Sequence, residues 1–329
     1  MAGITTETTI AAPPTTTTSN PSSTVPPTSE EERTGAAELP DFQPTGLDVP
    51  LLLFGDSITL VQPDGEAVLI QRDEAVRVAG DTRGGVVFQR RLVAGPQSSI
   101  LWQPNAEAQP KVLLIPEPNQ LAELHGVTTV NGVPEAVFSV TSPESGNRSL
   151  NRIDLESGQI VELRVVDEEE FGSKSTQVDG FFIVTTWERP NASGWSVYQS
   201  GTGREIGGSF ADVESSCSAG VGPNCARLAS LSLDIETVFR IVPHAANSPV
   251  GEYDLLLSRS ENGSTISRVD LSSLDGIWYP EHLSELADGK ILLSRSVDER
   301  RVRPMRAVLI DPATGSFELL PEVGFVRLT

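Results

Sequence analysis

The ten residues NGVPEAVFSV, 131 to 140, set a hairpin turn directly in front of a β-strand. Asn131-Gly132 supplies the two positive φ angles of a type I′ turn, and 136 to 140 are apolar or β-prone. The arrangement recurs at Asp179-Gly180 before 181 to 185 and at Asp288-Gly289 before 290 to 293. A second set of turns, Asp64-Gly65, Ser157-Gly158, Thr202-Gly203, Asp275-Gly276 and Thr314-Gly315, interleaves with the first at 23 to 26 residues. Each unit therefore holds two hairpins in tandem, which is a four-stranded meander. Successive units lie 39 to 48 residues apart, and no convincing helical period runs longer than two turns. Four strands repeating at this period are the mark of a β-propeller.

The units fall near 46 to 71, 75 to 116, 124 to 166, 174 to 207, 226 to 279 and 283 to 322. The first is one strand short, and the C-terminal run Gly324, Phe325, Val326, Arg327, Leu328 is left over. Pairing the last strand into the first blade closes the ring and removes an open sheet edge. The expected fold is therefore all-β: a six-bladed β-propeller over 46 to 329, closed by its C-terminal strand.

Ala307-Val308-Leu309-Ile310-Asp311-Pro312-Ala313-Thr314-Gly315 resembles the repeat of bacterial secreted propellers of the YVTN type. Weaker copies stand at Arg152-Ile153-Asp154-Leu155-Glu156-Ser157-Gly158 and at Arg268-Val269-Asp270-Leu271-Ser272-Ser273. The likeness covers three of the six units, lacks the Tyr-Val-Thr-Asn strand itself, and implies a fold rather than an activity. The stretch LLLFGDSITL, 51 to 60, is similar to the first block of the GDSL hydrolases. That likeness makes Ser57 a nucleophile and requires a downstream Asp-x-x-His base. No histidine has aspartate three residues before it: Ala122, Ile241 and Tyr279 hold those places ahead of His125, His244 and His282. A serine without a base is an ordinary alcohol, and Thr59, Val61 and Asp64-Gly65 continue as a hairpin where that fold needs a helix.

Charge and composition narrow the function. Lys+Arg number 24 and Asp+Glu 45, a formal net charge of −21, which repels a polyanion and argues against nucleic acid as a partner. The longest apolar runs fall far short of the roughly 20 residues of a spanning helix, so no transmembrane segment is expected. Residues 1 to 45 form a separate, disordered stalk: 1 to 30 hold ten threonines, with Pro13, Pro14, Pro21, Pro26 and Pro27, and too little apolar surface to offset chain entropy. It has neither the basic nor the apolar region of a signal peptide. It looks like the spacer, lipoprotein-like, that follows a removed secretion signal or membrane tether. Cys217 and Cys225, the only cysteines, flank a Gly- and Pro-containing segment and point to a disulfide, with two free thiols as the alternative. A disulfide places the chain outside the cytoplasm, so an extracellular or cell-envelope location is expected.

Candidate chemistry is sparse. The three histidines stand in different contexts, so neither a metal site nor a cofactor is expected. The acidic run Asp167-Glu168-Glu169-Glu170 lacks the ligand spacing of a calcium loop. In a propeller, the loops after the second strand and those joining blades emerge on one face, around the channel mouth. That face is expected to carry Arg90, Arg91, Arg189, Arg259, Arg295, Arg300, Arg301 and Arg303, four blades having an arginine near the end of the second strand. Guanidinium groups converging there bind carboxylates or phosphates, with Trp187, Trp195 and Tyr279 able to stack on sugar rings. Against this stands composition, 21 arginines to 3 lysines, and nearby acids such as Glu188, Asp298 and Glu299. The function expected is a binding or scaffolding module for a protein or an anionic glycan, with an enzyme reading second, either the Ser57 esterase or a glycan-cleaving propeller with paired carboxylates in the channel.

Overall fold

The strand Leu51–Phe54 shows why these segments read as continuous apolar runs. Side chains alternate across a strand, and in this protein both faces of a sheet are covered. Leu51 and Leu53 enter one core and Leu52 the next. Val137 parts from Ala136 and Phe138 in the same way. The computed structural model describes residue 47 and residues 49–327, except 55–56, 73–74, 82, 92–97, 143, 145–146, 167–171, 190–191, 213–225, 246–247, 249, 261–263, 275, 277, 297–304 and 321–323.

Among the described residues, 24 strands form six four-stranded antiparallel sheets. Blade 1 holds β1 (Leu51–Phe54), β2 (Ile58–Val61) and β3 (Ala67–Gln71). Blade 2 holds β4 (Arg77–Gly80), β5 (Val86–Arg91), β6 (Ser98–Gln103) and β7 (Lys111–Leu114). Blade 3 holds β8 (Leu121–Val130), β9 (Val133–Thr141), β10 (Arg148–Asp154) and β11 (Ile160–Val166). Blade 4 holds β12 (Gly172–Asp179), β13 (Phe182–Arg189), β14 (Ala192–Gln199) and β15 (Glu205–Asp212). Blade 5 holds β16 (Leu228–Leu231), β17 (Thr237–Pro243), β18 (Tyr253–Arg259) and β19 (Thr265–Asp270). Blade 6 holds β20 (Tyr279–Glu285), β21 (Ile291–Ser296), β22 (Met305–Asp311) and β23 (Ser316–Leu319). The last strand, β24 (Gly324–Arg327), returns to blade 1 and pairs with β1, Leu51 opposite Arg327 and Leu53 opposite Phe325.

The protein is a six-bladed β-propeller with its ring closed by the C-terminal strand, as the repeat implied. Six buried clusters lie one at each junction between neighbouring blades, including Leu51, Leu53, Leu292 and Leu309 between blades 6 and 1. Closure is thus a packed interface and not only a hydrogen-bonded seam. Ser57 sits between β1 and β2 and leads into a strand, so the GDSL architecture does not apply. The segment 1 to 45, Cys217 and Cys225, Arg301 and the run 167 to 170 lie outside the described residues.

Turn chemistry explains most of the framework. Asn131 and Gly132 have φ of 52° and 81° and join β8 to β9 as the type I′ turn they spell. One turn departs from its sequence reading: Asp275-Gly276 belongs to the connection from β19 to β20, not to a hairpin. A second departure carries energy. In the turns after β4 and β20 a glycine N–H bonds back three residues, Gly84 to the Asp81 carbonyl and Gly289 to the Leu286 carbonyl, with positive φ. The corresponding position after β16 is Ile235, bonded to the Ser232 carbonyl at φ 62°. A β-branched residue held left-handed costs about 1 kcal/mol or more.

Candidate functional site

The innermost strand of each blade has no neighbour on its channel side, so its inward backbone groups need other partners. Two buried glutamine amides provide them. Gln89 Nε2 donates to the Ala122 carbonyl while its Oε1 accepts from Leu124 N, both 2.9 Å, which satisfies the edge of β8 as a strand residue would. Gln177 leaves β12, reaches past blade 5 and treats β20 the same way: its Oε1 accepts from Leu283 N at 2.9 Å and its Nε2 donates to the Leu283 carbonyl at 3.3 Å. The same Nε2 donates to the Ala229 carbonyl of β16 at 3.0 Å. One side chain therefore ties blades 4, 5 and 6 together.

Beside Gln177 a cavity of about 50 Å³ opens, lined by Phe54, Arg77, His125, Glu281 and His282 among others. It lies toward the end of the channel where the second strands finish and the blade-joining connections arrive, which is the predicted mouth. Bulges decide what faces it. His125 is the extra residue of β8, between the pairs Leu124 with Phe138 and Gly126 with Val137. Glu281 is the extra residue of β20, between Pro280 with Arg295 and His282 with Ser294. A bulge re-aims one side chain without moving the blade.

The rim beside blade 3 is a charge cluster. Arg77 Nη2 donates to Glu123 Oε1 at 2.5 Å, and Arg148 Nη2 donates to Glu123 Oε2 at 3.0 Å. Glu123 thus holds two guanidinium groups, and Glu281 lines the cavity beside them. His125 Nε2 lies 2.9 Å from Ser139 Oγ and 3.4 Å from Arg148 Nη2. Burial, reinforced by Arg148 and Arg77 and opposed by Glu123, pushes its pKa down to about 3. His125 is then neutral in the folded protein and charged in the unfolded chain below pH 6.5, where the unfolded state binds more protons. Stability falls on acidification from about pH 6.5 toward 3. His125→Gln is expected to flatten that decline, by up to about 3 kcal/mol between pH 6.5 and 4. Urea unfolding of both proteins across this range checks it; parallel curves would show an ordinary histidine.

The predicted site residues separate into groups. The ends of β5 and β13 put Arg90 and Arg189 on the mouth face, and Trp187 stands two residues before Arg189. Tyr279 opens β20 on the same face, opposite Ser296. Arg259 is a correction: it ends β18, the third strand of blade 5, opposite Thr237 at the start of β17, and so lies on the other face. Arg295 ends near the mouth but is 0% exposed, its guanidinium 5.5 Å over the Trp278 ring. Trp195 packs in the core between blades 4 and 5. The second strand of blade 5 finishes instead at Pro243, before His244. There the structure assembles a group the sequence did not show, His244, Asp254 and Asp270, with ligand atoms within 4.8 Å of one another. The group balances its own charge: His244 Nδ1 is 2.9 Å from Asp254 Oδ1, Arg268 pairs with Asp254 Oδ2, and the hydrogen bond to Asp254 raises the His244 pKa.

No family model and no curated protein sequence matches the chain. Solved structures do. TolB from Acinetobacter baumannii is similar at a TM-score of 0.54 and 12% identity, over 84% of this chain and 64% of that one. The chain thus spans under two thirds of TolB. The nidogen/laminin complex gives 0.50 and 11% over 84% of this chain and 95% of that chain. A protein from Lactobacillus plantarum gives 0.50 and 8% over 84% and 82%. These likenesses show the fold. Among the described residues no helix is long and apolar enough to cross a membrane.

Proposed function

We propose that the chain is an extracytoplasmic binding or scaffolding module that holds a protein or an anionic glycan against the channel mouth. The observation that carries this reading is the mouth itself. Its rim carries Arg77 and Arg148 with one carboxylate, Glu123, between them, beside a cavity lined by Phe54, His125, Glu281 and His282 among others. Such a surface grips an anionic group presented from outside. The sequence adds Arg90, Arg189, Arg301, Tyr279 and Trp187 as further candidates for the same binding role.

Hydrolysis has less support. The serines beside His125 and His282 are Ser139 and Ser284, both buried, where no ester carbonyl reaches them. Glycan cleavage needs two matched carboxyl groups; Glu281 lines the cavity, while Glu123 is held by two arginines. The extracytoplasmic placement rests on Cys217 with Cys225, on the Thr/Pro-rich segment 1 to 45 as a stalk, and on the likeness of 307 to 315 to YVTN-type repeats. The test is an array of acidic glycans and acidic peptides probed with the full chain. Binding is expected to weaken as salt rises and to fall about tenfold or more in Arg77→Ala combined with Arg189→Ala. Binding that ignores both salt and the double substitution would overturn the reading.

A further inference from the structure

The face opposite the mouth carries an apolar feature that the fold does not need. Ile235 holds a position given to glycine in the equivalent turns of blades 2 and 6, yet its strained side chain is 47% exposed. Leu233, two residues earlier, is 57% exposed, and Phe181, in the first hairpin of neighbouring blade 4, is 61% exposed. In blades 3 and 6 the corresponding tips are Asn131-Gly132 and Asp288-Gly289. Large apolar tips therefore occur on the first hairpins of two neighbouring blades, 4 and 5. The turn is also braced: Leu233 N donates to Glu285 Oε2 of blade 6 at 2.7 Å, Glu236 N donates to Asp234 Oδ1 at 3.0 Å, and Ser260 Oγ donates to the Ile235 carbonyl at 2.7 Å. A residue that breaks a local rule, contributes little burial and is firmly positioned is the pattern of a recognition element.

We propose that the turn at 233–235, with Phe181, is a docking knob for a protein partner whose matching surface is apolar and rimmed by lysine or arginine. Charge selects that occupant. Asp234 and Glu236 flank Ile235 and Glu285 holds Leu233 N, with Arg259 opposite Thr237 at the end of β18 and Lys290 in the hairpin that follows Glu285. Hydrogen bonds from the Ser232 hydroxyl and Glu236 N hold Asp234 below the usual carboxylate range. Two copies meeting through this sector would bring like charges together, which disfavours self-association. Apolar contact supplies affinity and the acidic rim sets partner choice. This surface is separate from the mouth, so the proposal stands or falls independently of the reading above.

The test uses the full chain and a synthetic amphipathic peptide of leucine and lysine, followed by fluorescence anisotropy, with a leucine and glutamate peptide as control. The basic peptide is expected to bind and the acidic one not. Ile235→Gly is expected to weaken binding about tenfold or more while its Tm stays equal to the parent or rises by up to about 2 °C. Arg77→Ala, on the other face, is expected to leave this binding unchanged. Loss of binding with an unchanged or higher Tm supports a recognition role. Absence of basic-peptide binding, equal binding by Ile235→Gly, or a fall in Tm of several degrees in that variant would each overturn the proposal. So would a dimer, seen by sedimentation, that Ile235→Gly dissolves, because the occupant is then a second copy.

Discussion

A chain ending at residue 323 is expected not to fold. Its missing strand, β24, is the innermost strand of blade 1 and pairs with all four residues of β1, from Leu51 with Arg327 to Phe54 with Gly324. Without it the channel-side backbone groups of β1 lose their partners. Leu51 and Leu53, in the core between blades 6 and 1, and Leu52, in the core between blades 1 and 2, then border an open wedge. Hydrogen bonds at about 1 kcal/mol each and newly exposed apolar surface together exceed about 5 kcal/mol, which reaches the total stability of many domains. The exposed edge of β1 also invites intermolecular pairing. Far-UV circular dichroism and size-exclusion chromatography are expected to show unfolded or aggregated material. The peptide GFVRLT, 324 to 329, added in trans is expected to restore some folded protein by strand addition. A truncated monomer melting within a few degrees of the full chain would show that ring closure does not depend on this strand.

That closure was legible in the sequence because two independent remainders matched: a first unit one strand short and a last strand without a unit. Blade number was legible because most turns are spelled in residues that tolerate positive φ, and because burial on both faces leaves uninterrupted apolar runs. The reading failed in blade 5, and Ile235 is the reason. Where its neighbours mark the first turn with glycine, blade 5 has a β-branched residue, so the boundary between β16 and β17 is not visible. The frame slips by one strand, Arg259 is read as ending a second strand when it ends a third, and Asp275-Gly276 is drafted to fill the missing turn. The site was less legible for another reason. Arg77, Glu123 and Arg148 come from three strands in two blades, and bulges, which no turn residue announces, aim His125 and Glu281 inward. A sequence signal for the interior existed in Gln89 and Gln177, amides set among apolar or β-prone neighbours, but their targets lie 33 and 106 residues away.

Gln177→Leu is expected to be among the most destabilising single substitutions in the propeller. Leucine matches the glutamine in bulk but offers neither donor nor acceptor. Leu283 N, the Leu283 carbonyl and the Ala229 carbonyl would each lose a partner in the buried centre of the ring. An unsatisfied buried polar group costs about 1 to 3 kcal/mol, so three predict a loss of about 3 kcal/mol or more, among the larger single-site effects. Gln177→Asn retains the amide but is one methylene shorter, and the span from β12 to β20 is already closed at 2.9 to 3.3 Å; it is expected to recover little. Gln177→Glu keeps the length and the acceptor for Leu283 N but faces two carbonyls with a carboxylate, so it should rank near leucine at neutral pH and improve as acid protonates it. Urea midpoints at constant m-value, measured for the three variants at pH 7 and pH 5, separate these outcomes. A Gln177→Leu loss below about 1 kcal/mol would mean that water entering the 50 Å³ cavity satisfies the freed groups, and that the amide bridge fills the channel without holding the blades together.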